Sequence, residues 1–382
     1  MEQTNESTYQ AATAVAGIIE GHFIKHLAAA KEEGEENLAT APSAKIVEKI
    51  IDVAFWASLR REEGNSTRMS IAFVDPVQAG KPLLFEKPLP LSPMVLTKLA
   101  PGVERPGVHV GVWHDGNELY IWGTTIKLPN FCFVLDVSEP GLLVVKHRRI
   151  QGLGKFTNVA MLKGDQVKVV DESSGYSSCS PALLKSLLGL DSSVLWNNPE
   201  NVLIQIAVSM RAHKRGGILL VTPAGNSSWK ESIVHPLQYP VSPAFSGVAD
   251  LIRQDSSSVS EIYWQNALRR EVENVSGLTA VDGATIVNDH HELLAFGAKI
   301  IRANSSTPVE KIIITEPVIG GDPAYVHPSS IGGTRHLSAA QFVHDQHDSI
   351  ALVASQDGYF TIFSWSATKQ MVQAHRVDIL LL

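Results

Sequence analysis

Between residues 68 and 170 the chain passes through short β-rich runs, at 69–74, 108–113, 119–122, 131–137 and 142–145, broken by Pro, Gly and Asp-Gly. Runs of this length between turn residues fold as antiparallel strands, because Gly and Asn tolerate the positive φ of a tight reversal. His114-Asp115-Gly116-Asn117, set between two such runs, reads as a hairpin turn. A sheet of this kind needs a cover for its apolar face. The preceding residues supply one. Val15, Ile18, Ile19, His22, Phe23, His26 and Leu27 recur at helical spacing, and the acidic stretch 31–37 reads as a solvated link. A second amphipathic pattern over 43–63 places Ile46, Ile50, Val53 and Ala57 on one face and closes at Gly64. Arg60, Arg61, Glu62 and Glu63 read as the solvated last turn of that helix.

The pattern changes after the polar stretch 171–180, which marks a boundary between an N-terminal region, 1–180, and a second domain, 181–382. Helices are expected at 181–188, 199–213, near 242–253 and at 259–275, with strands at 218–222, 284–287, 311–314, 349–355 and 360–363. This alternation predicts an α/β or α+β fold: a mixed sheet flanked by helices, following a helical and antiparallel β-rich region. No internal repeat is visible.

Bulk properties narrow the function classes. With 44% hydrophobic and 19% charged residues in 382, the chain can build real cores. A net charge of -7 argues against a general nucleic-acid binder, which needs a basic face, but leaves room for a local phosphate pocket. Cys132 and Cys179 match no metal-ligand spacing and are expected as reduced thiols. No charged-then-apolar leader opens the sequence, and no apolar run reaches the roughly 18 residues of a membrane helix. A cytoplasmic protein is the expectation.

Four segments of the second half could carry chemistry. They are the helix-Gly216-Gly217-strand unit, Val281-Asp282-Gly283-Ala284 leading into a strand, Gly332-Gly333-Thr334-Arg335-His336-Leu337 opening a helix, and Ser355-Gln356-Asp357-Gly358 between two strands. A Gly-Gly-Thr-Arg-His turn at a helix start suits a phosphate. The glycines admit the backbone N–H groups, the helix N-terminus favours an anion, and Arg335 brings a forked donor set. Asp282, at a strand start, could hold a divalent metal that bridges phosphates.

The order and spacing of these segments resemble the diadenylate cyclase domain, which joins two ATP molecules into cyclic di-AMP. The family's marks are a His-Asp-Gly-Ala turn, a Gly-Thr-Arg-His-Arg loop and a later Ser-Glu-Glu-x-Gly stretch. Here the corresponding positions read Asp282-Gly283-Ala284, Gly333-Thr334-Arg335-His336 and Ser355 to Gly358, within residues 199–365. Val281 stands where that family has His, Leu337 where it has its second Arg, and Gln356-Asp357 where it has Glu-Glu. Losing one guanidinium removes a charge-assisted contact worth roughly 1.5–3 kcal/mol. Binding tolerates that better than turnover.

This divergent pattern is similar to a group of bacterial proteins described as DACNV sensor domains. The similarity extends to Phe55-Trp56-Ala57-Ser58-Leu59-Arg60-Arg61-Glu62-Glu63-Gly64, Lys98-Leu99-Ala100-Pro101, Ile121-Trp122-Gly123 and Ala374-His375-Arg376. It implies a nucleotide sensor in which Thr334, Arg335 and His336 hold phosphates and Gly332 and Gly333 shape the loop. Asp282, Gly283 and Ala284 would line the base, ribose or metal side. The ligand would be ATP or a cyclic dinucleotide, with Mg or Mn arriving alongside it. A homodimer and a separate effector protein are the implied partners. The alternative is an active diadenylate cyclase, in which Asp282 is indispensable to catalysis.

Other tempting features have plainer readings. Trp113, Trp122, Trp229 and Trp365 suit core or interface positions. His344-Asp345-Gln346-His347-Asp348 reads as a polar turn, since no distant third metal ligand accompanies it, and His290-His291 sits in the polar turn 288–292, a hairpin tip. Gly152-Leu153-Gly154-Lys155-Phe156-Thr157 lacks the spacing of a phosphate-binding P-loop. No nucleophile elbow or Cys-His pair supports covalent hydrolysis.

Overall fold

The computed structural model describes residues 8–116, 118–148, 156–171, 199–254 and 261–381, which divide into two compact units, Met1–Val170 and Asp171–Leu381. The expected helix at 181–188, Cys179, Asn117 of the hairpin tip and most of the 152–157 glycine run lie outside the described residues.

In the first unit, α1 (Gln10–Glu32) buries Val15, Ile19, Phe23 and Leu27, a strict four-residue spacing that leaves Ile18 on the outer face at 46% exposure. α2 (Ala44–Ser58) packs against it through Val47, Ile50, Ile51 and Ala54. The buried carboxylate of Asp52 ties the two together. It accepts the backbone N–H groups of Thr8 and Tyr9 at 3.1 and 2.9 Å, just ahead of α1, while Tyr9 stacks flat on Phe55 at 3.7 Å.

The chain departs from expectation at the end of α2. The helix stops at Ser58, and Arg61–Glu62 (β1) pairs with Asn65–Ser66 (β2) in a tight hairpin turning at Glu63 and Gly64, both with positive φ. Gly64 therefore serves a strand reversal instead of closing a helix, and the charged run lies on a hairpin.

An eight-stranded sheet follows among the described residues. Its members are β3 (Met69–Phe73), β4 (Leu83–Pro90), β5 (His109–Asp115), β6 (Glu118–Thr125), β7 (Phe133–Glu139), β8 (Leu142–Arg148), β9 (Phe156–Lys163) and β10 (Gln166–Val169), in the order 10-9-8-7-3-5-6-4. All neighbours are antiparallel except β3 and β5, whose connection carries β4 and the helix α3 (Pro93–Val103). The sequence reading passes over both of these elements. β5 and β6 form the expected hairpin, pairing Asp115 with Glu118 around Gly116. The three helices cover one face. On the other, Trp122 is buried among Ala72, Val74, Cys132 and Val134 and donates its indole N–H to the Val74 carbonyl at 2.9 Å. Cys132 is a free thiol, and burial pushes its pKa far up.

The second unit is built on α4 (Pro199–Ala212), β11 (Gly217–Thr222), β12 (Tyr239–Phe245), α5 (Gly247–Arg253), α6 (Glu261–Leu278), β13 (Ala284–Asn288), β14 (Leu293–Ala298), β15 (Ile312–Thr315), β16 (Ala324–Val326), α7 (Thr334–Asp345), β17 (Ile350–Ala354), β18 (Phe360–Ser366) and β19 (Met371–Arg376). Among the described residues its nine strands run in the order 12-14-13-11-17-18-19-15-16, with β11–β13 and β15–β19 parallel. The mixed α+β architecture is the expected one. The helix expected near 242–253 begins only at Gly247, because residues up to Phe245 pair with β14 as an edge strand. Pro240 and Pro243 fit an edge position, where a missing N–H costs no ladder bond.

Period-two alternation decides the layers. Leu219 and Val221 face α4, α5 and α6, whereas Ile218 and Leu220 face α7. The sheet is thus sandwiched between helices and buried on both sides.

Candidate functional site

Strand pairing gathers the predicted segments at one end of the nine-stranded sheet. Ile218 pairs with Ala284, Gly217 with Ala354 and Ala354 with Phe360. Hence Gly216-Gly217, Asp282-Gly283 and Ser355 to Gly358 sit at neighbouring strand ends. The start of α7 lies over the same end, since Arg335 in its first turn reaches Gly216.

The Gly-Gly-Thr-Arg-His turn is itself the helix start. Gly333 caps α7, so Thr334, Arg335 and His336 form its first turn. The Gly333 carbonyl accepts the His336 N–H at 3.0 Å, while the amides of Thr334 and Arg335 are first-turn donors with no intrahelical acceptor. Gly332 is required by close approach: a β-carbon there would meet the His336 ring at 2.2 Å.

Arg335 is half-buried and extends back over β11. A β-carbon on Gly216 would lie 2.9 Å from its Nη1 and 3.3 Å from the Ala354 carbonyl, and Gly216 itself has φ +71°. Among the described residues no hydrogen bond engages this guanidinium, whose charge helps to lower the Asp282 carboxyl pKa. Such an arginine is an available anion donor.

Asp282 is fully exposed and ion-paired with Lys299, which follows β14. The Lys299 hydrogen bond and charge hold its carboxyl below the ordinary range, and Arg335 adds to the effect. One carboxylate beside two cations is a poor donor set for a divalent ion, which prefers several anionic or carbonyl oxygens. A metal bound at Asp282 would have to displace Lys299. Gly283, at φ +114°, lets the backbone pass Gly297, and Gly297 in turn abuts Tyr239, which stacks on Phe296 at 4.7 Å.

His336 is placed differently from Arg335. Its ring is buried, with Nε2 3.5 Å from Thr361 Oγ1 and an edge contact to Phe363. Burial, followed by the charges of Arg376 and Arg335, lowers its pKa to about 4, so the imidazole is neutral at pH 7. It contributes no cation. Ser355 to Gly358 is a structural turn: Gln356 donates to the Arg215 carbonyl at 3.3 Å, and Arg211 donates to the Gly358 carbonyl at 3.1 Å.

The polar cluster at the end of α7 is also structural. Asp345 accepts from the Ala303 amide, Ser306 and Gln341 at 2.8, 2.5 and 2.7 Å, and His347 stacks on Trp365 at 3.6 Å. His291 turns inward at the tip between β13 and β14 and is buried. Lys299 and Tyr359 carry no motif of their own, and Arg376 stands out in the sequence only within Ala374-His375-Arg376, without a role; each matters through a strand pairing. For Arg376 the signal was the β19 alternation, with Val372 and Ala374 inward.

Among the described residues no helix is long and apolar enough to cross a membrane. No curated protein matches the chain. The segment 36–126, which the first unit folds into α2, α3 and β1 to β6, is similar to the family described as probable sensor domain DACNV.

Proposed function

We propose that this chain is a cytoplasmic nucleotide-binding sensor whose ligand sits at the end of the nine-stranded sheet, its phosphates held by Arg335 and the first turn of α7. The observation that carries the reading is the Arg335 guanidinium, half-buried over Gly216 and without a hydrogen-bond partner among the described residues. Its forked N–H groups and the amides of Thr334 and Arg335 belong to the same helix start, a donor set suited to a phosphoryl oxygen. His336, being neutral, serves as a buried wedge that fixes the loop against Gly332 and Thr361. The sensor role draws on the DACNV similarity of residues 36–126, which lie in the other unit. The relationship to diadenylate cyclases rests on the segment order Asp282-Gly283-Ala284 and Gly333-Thr334-Arg335-His336, and makes ATP and cyclic di-AMP the ligands to try.

Binding is preferred over cyclisation because Leu337 replaces a phosphate-binding arginine and Lys299 occupies the carboxylate of Asp282. The purified chain should be incubated with ATP and Mn²⁺ or Mg²⁺ and assayed for cyclic di-AMP by mass spectrometry. Nucleotide bound without product is the expected result. Product that disappears in Asp282→Ala would make the protein a cyclase.

A further inference from the structure

Arg376, the last residue of β19, faces the same side of the sheet as α7, because its cross-strand partner Thr361 directs its hydroxyl to His336. Its guanidinium stacks on the Tyr359 ring at 4.8 Å, and Tyr359 is 44% exposed. The Nε is buried and has no hydrogen-bond partner among the described residues, and no acidic side chain there pairs with the group. A desolvated arginine donor left unmade costs free energy, and native structures seldom retain one without a use. Thr361, the cross-strand partner of Arg376, contacts His336, which follows Arg335 directly in α7, and the charges of both arginines bear on that imidazole.

We infer that Arg376, oriented by Tyr359, is a second phosphate-holding group, and that the ligand therefore carries at least two anionic phosphoryl groups. The inference rests on the nucleotide reading and narrows it. A single guanidinium at Arg335 takes one phosphoryl group. Two of them, both near His336, select a nucleoside di- or triphosphate or a dinucleotide over a monophosphate. Arg376 reaches the site from a strand that comes late in the chain, and so supplies the second donor that Leu337 does not.

The test is calorimetric titration of the full chain, and of Arg376→Ala, Arg376→Lys and Arg335→Ala, with AMP, ADP, ATP and cyclic di-AMP. The wild type should prefer the ligands with two or more phosphoryl groups over AMP by about tenfold or more, the worth of one charge-assisted contact. Arg376→Ala should erase that preference and leave AMP within about twofold, and Arg376→Lys should recover part of it. The thermal midpoint of Arg376→Ala should be unchanged or higher, since a desolvated donor is removed. If Arg376→Ala fails to fold, the lysine variant carries the comparison. Unaltered preference in the Arg376 variants, with binding still lost in Arg335→Ala, overturns this inference alone. A wild type that binds none of the four ligands overturns the nucleotide reading and this inference together. ATP or ADP bound without cyclic di-AMP, or the reverse, identifies which two-phosphate ligand is held.

Discussion

The guanidinium of Arg335 rests on the α-carbon of Gly216, so closely that a β-carbon there would stand 2.9 Å from Nη1. The two residues come from a helix start and a strand start more than a hundred positions apart, and the packing of α7 on β11 brings them together. Gly216→Ala should therefore act twice. Its φ of +71° is unfavourable to alanine by about 1–2 kcal/mol, and the new methyl group displaces Arg335. Nucleotide affinity should fall by roughly tenfold, the loss of one charge-assisted contact, alongside a lower thermal midpoint. Unchanged affinity in a folded variant would place the ligand elsewhere.

Acid should unfold the second unit. His291, His336 and His375 are each held at about 4, in every case mainly by burial. In the unfolded chain these imidazoles take up protons near their ordinary 6.5, so between 6.5 and 4 the unfolded state binds more protons. Stability contributed by the three is complete above 6.5 and is lost as pH falls toward 4, by several kcal/mol on the order expected from linkage. Denaturant melts from pH 7 to 4.5 should decline, and His336→Gln should flatten part of the decline. A profile level over that range would contradict the buried neutral assignment.

In the first unit, Asp52 is the acceptor for the backbone amides of Thr8 and Tyr9. Asp52→Ala should destabilise that unit by about 1–2 kcal/mol, as loss of a helix-start acceptor does, and Asp52→Asn should restore much of it. Hydrogen exchange at the α1 amides is the measurement. Equal protection in Asp52→Ala would show that the stacking of Tyr9 on Phe55 holds α1 by itself.

Lys299→Ala should raise the pKa of Asp282 toward an ordinary aspartate, because the Lys299 hydrogen bond is the main cause of its depression. Carboxyl chemical shifts followed through pH would record the change. No shift in Asp282 would mean that Arg335 governs that carboxylate.

Legibility from sequence followed the range of the forces involved. Helices with strict spacing, such as the Val15, Ile19, Phe23, Leu27 face, were readable because the period is local. The same holds for the β5–β6 hairpin, where Gly116 adopts positive φ. The end of α2 was misplaced because Glu63-Gly64 looks identical whether it closes a helix or turns a hairpin, and the pairing of Arg61 with Ser66 decides. Pro240 and Pro243 concealed β12, whose partner strand is more than fifty residues later. Within the candidate site, Asp282, Gly332, Gly333 and Arg335 could be found as motif residues. Tyr359 and Lys299 could not, and Arg376 was visible only within Ala374-His375-Arg376, since the roles of all three arise from neighbours supplied by the sheet.

The most direct test is a calorimetric titration of the full chain with ATP and with cyclic di-AMP, run beside Arg335→Ala at matched thermal stability. Saturable binding by the wild type that weakens about tenfold or more in the variant is the predicted result. Equal affinity in the two proteins would contradict a phosphate site at the start of α7 and direct the search to the unit that contains residues 36–126.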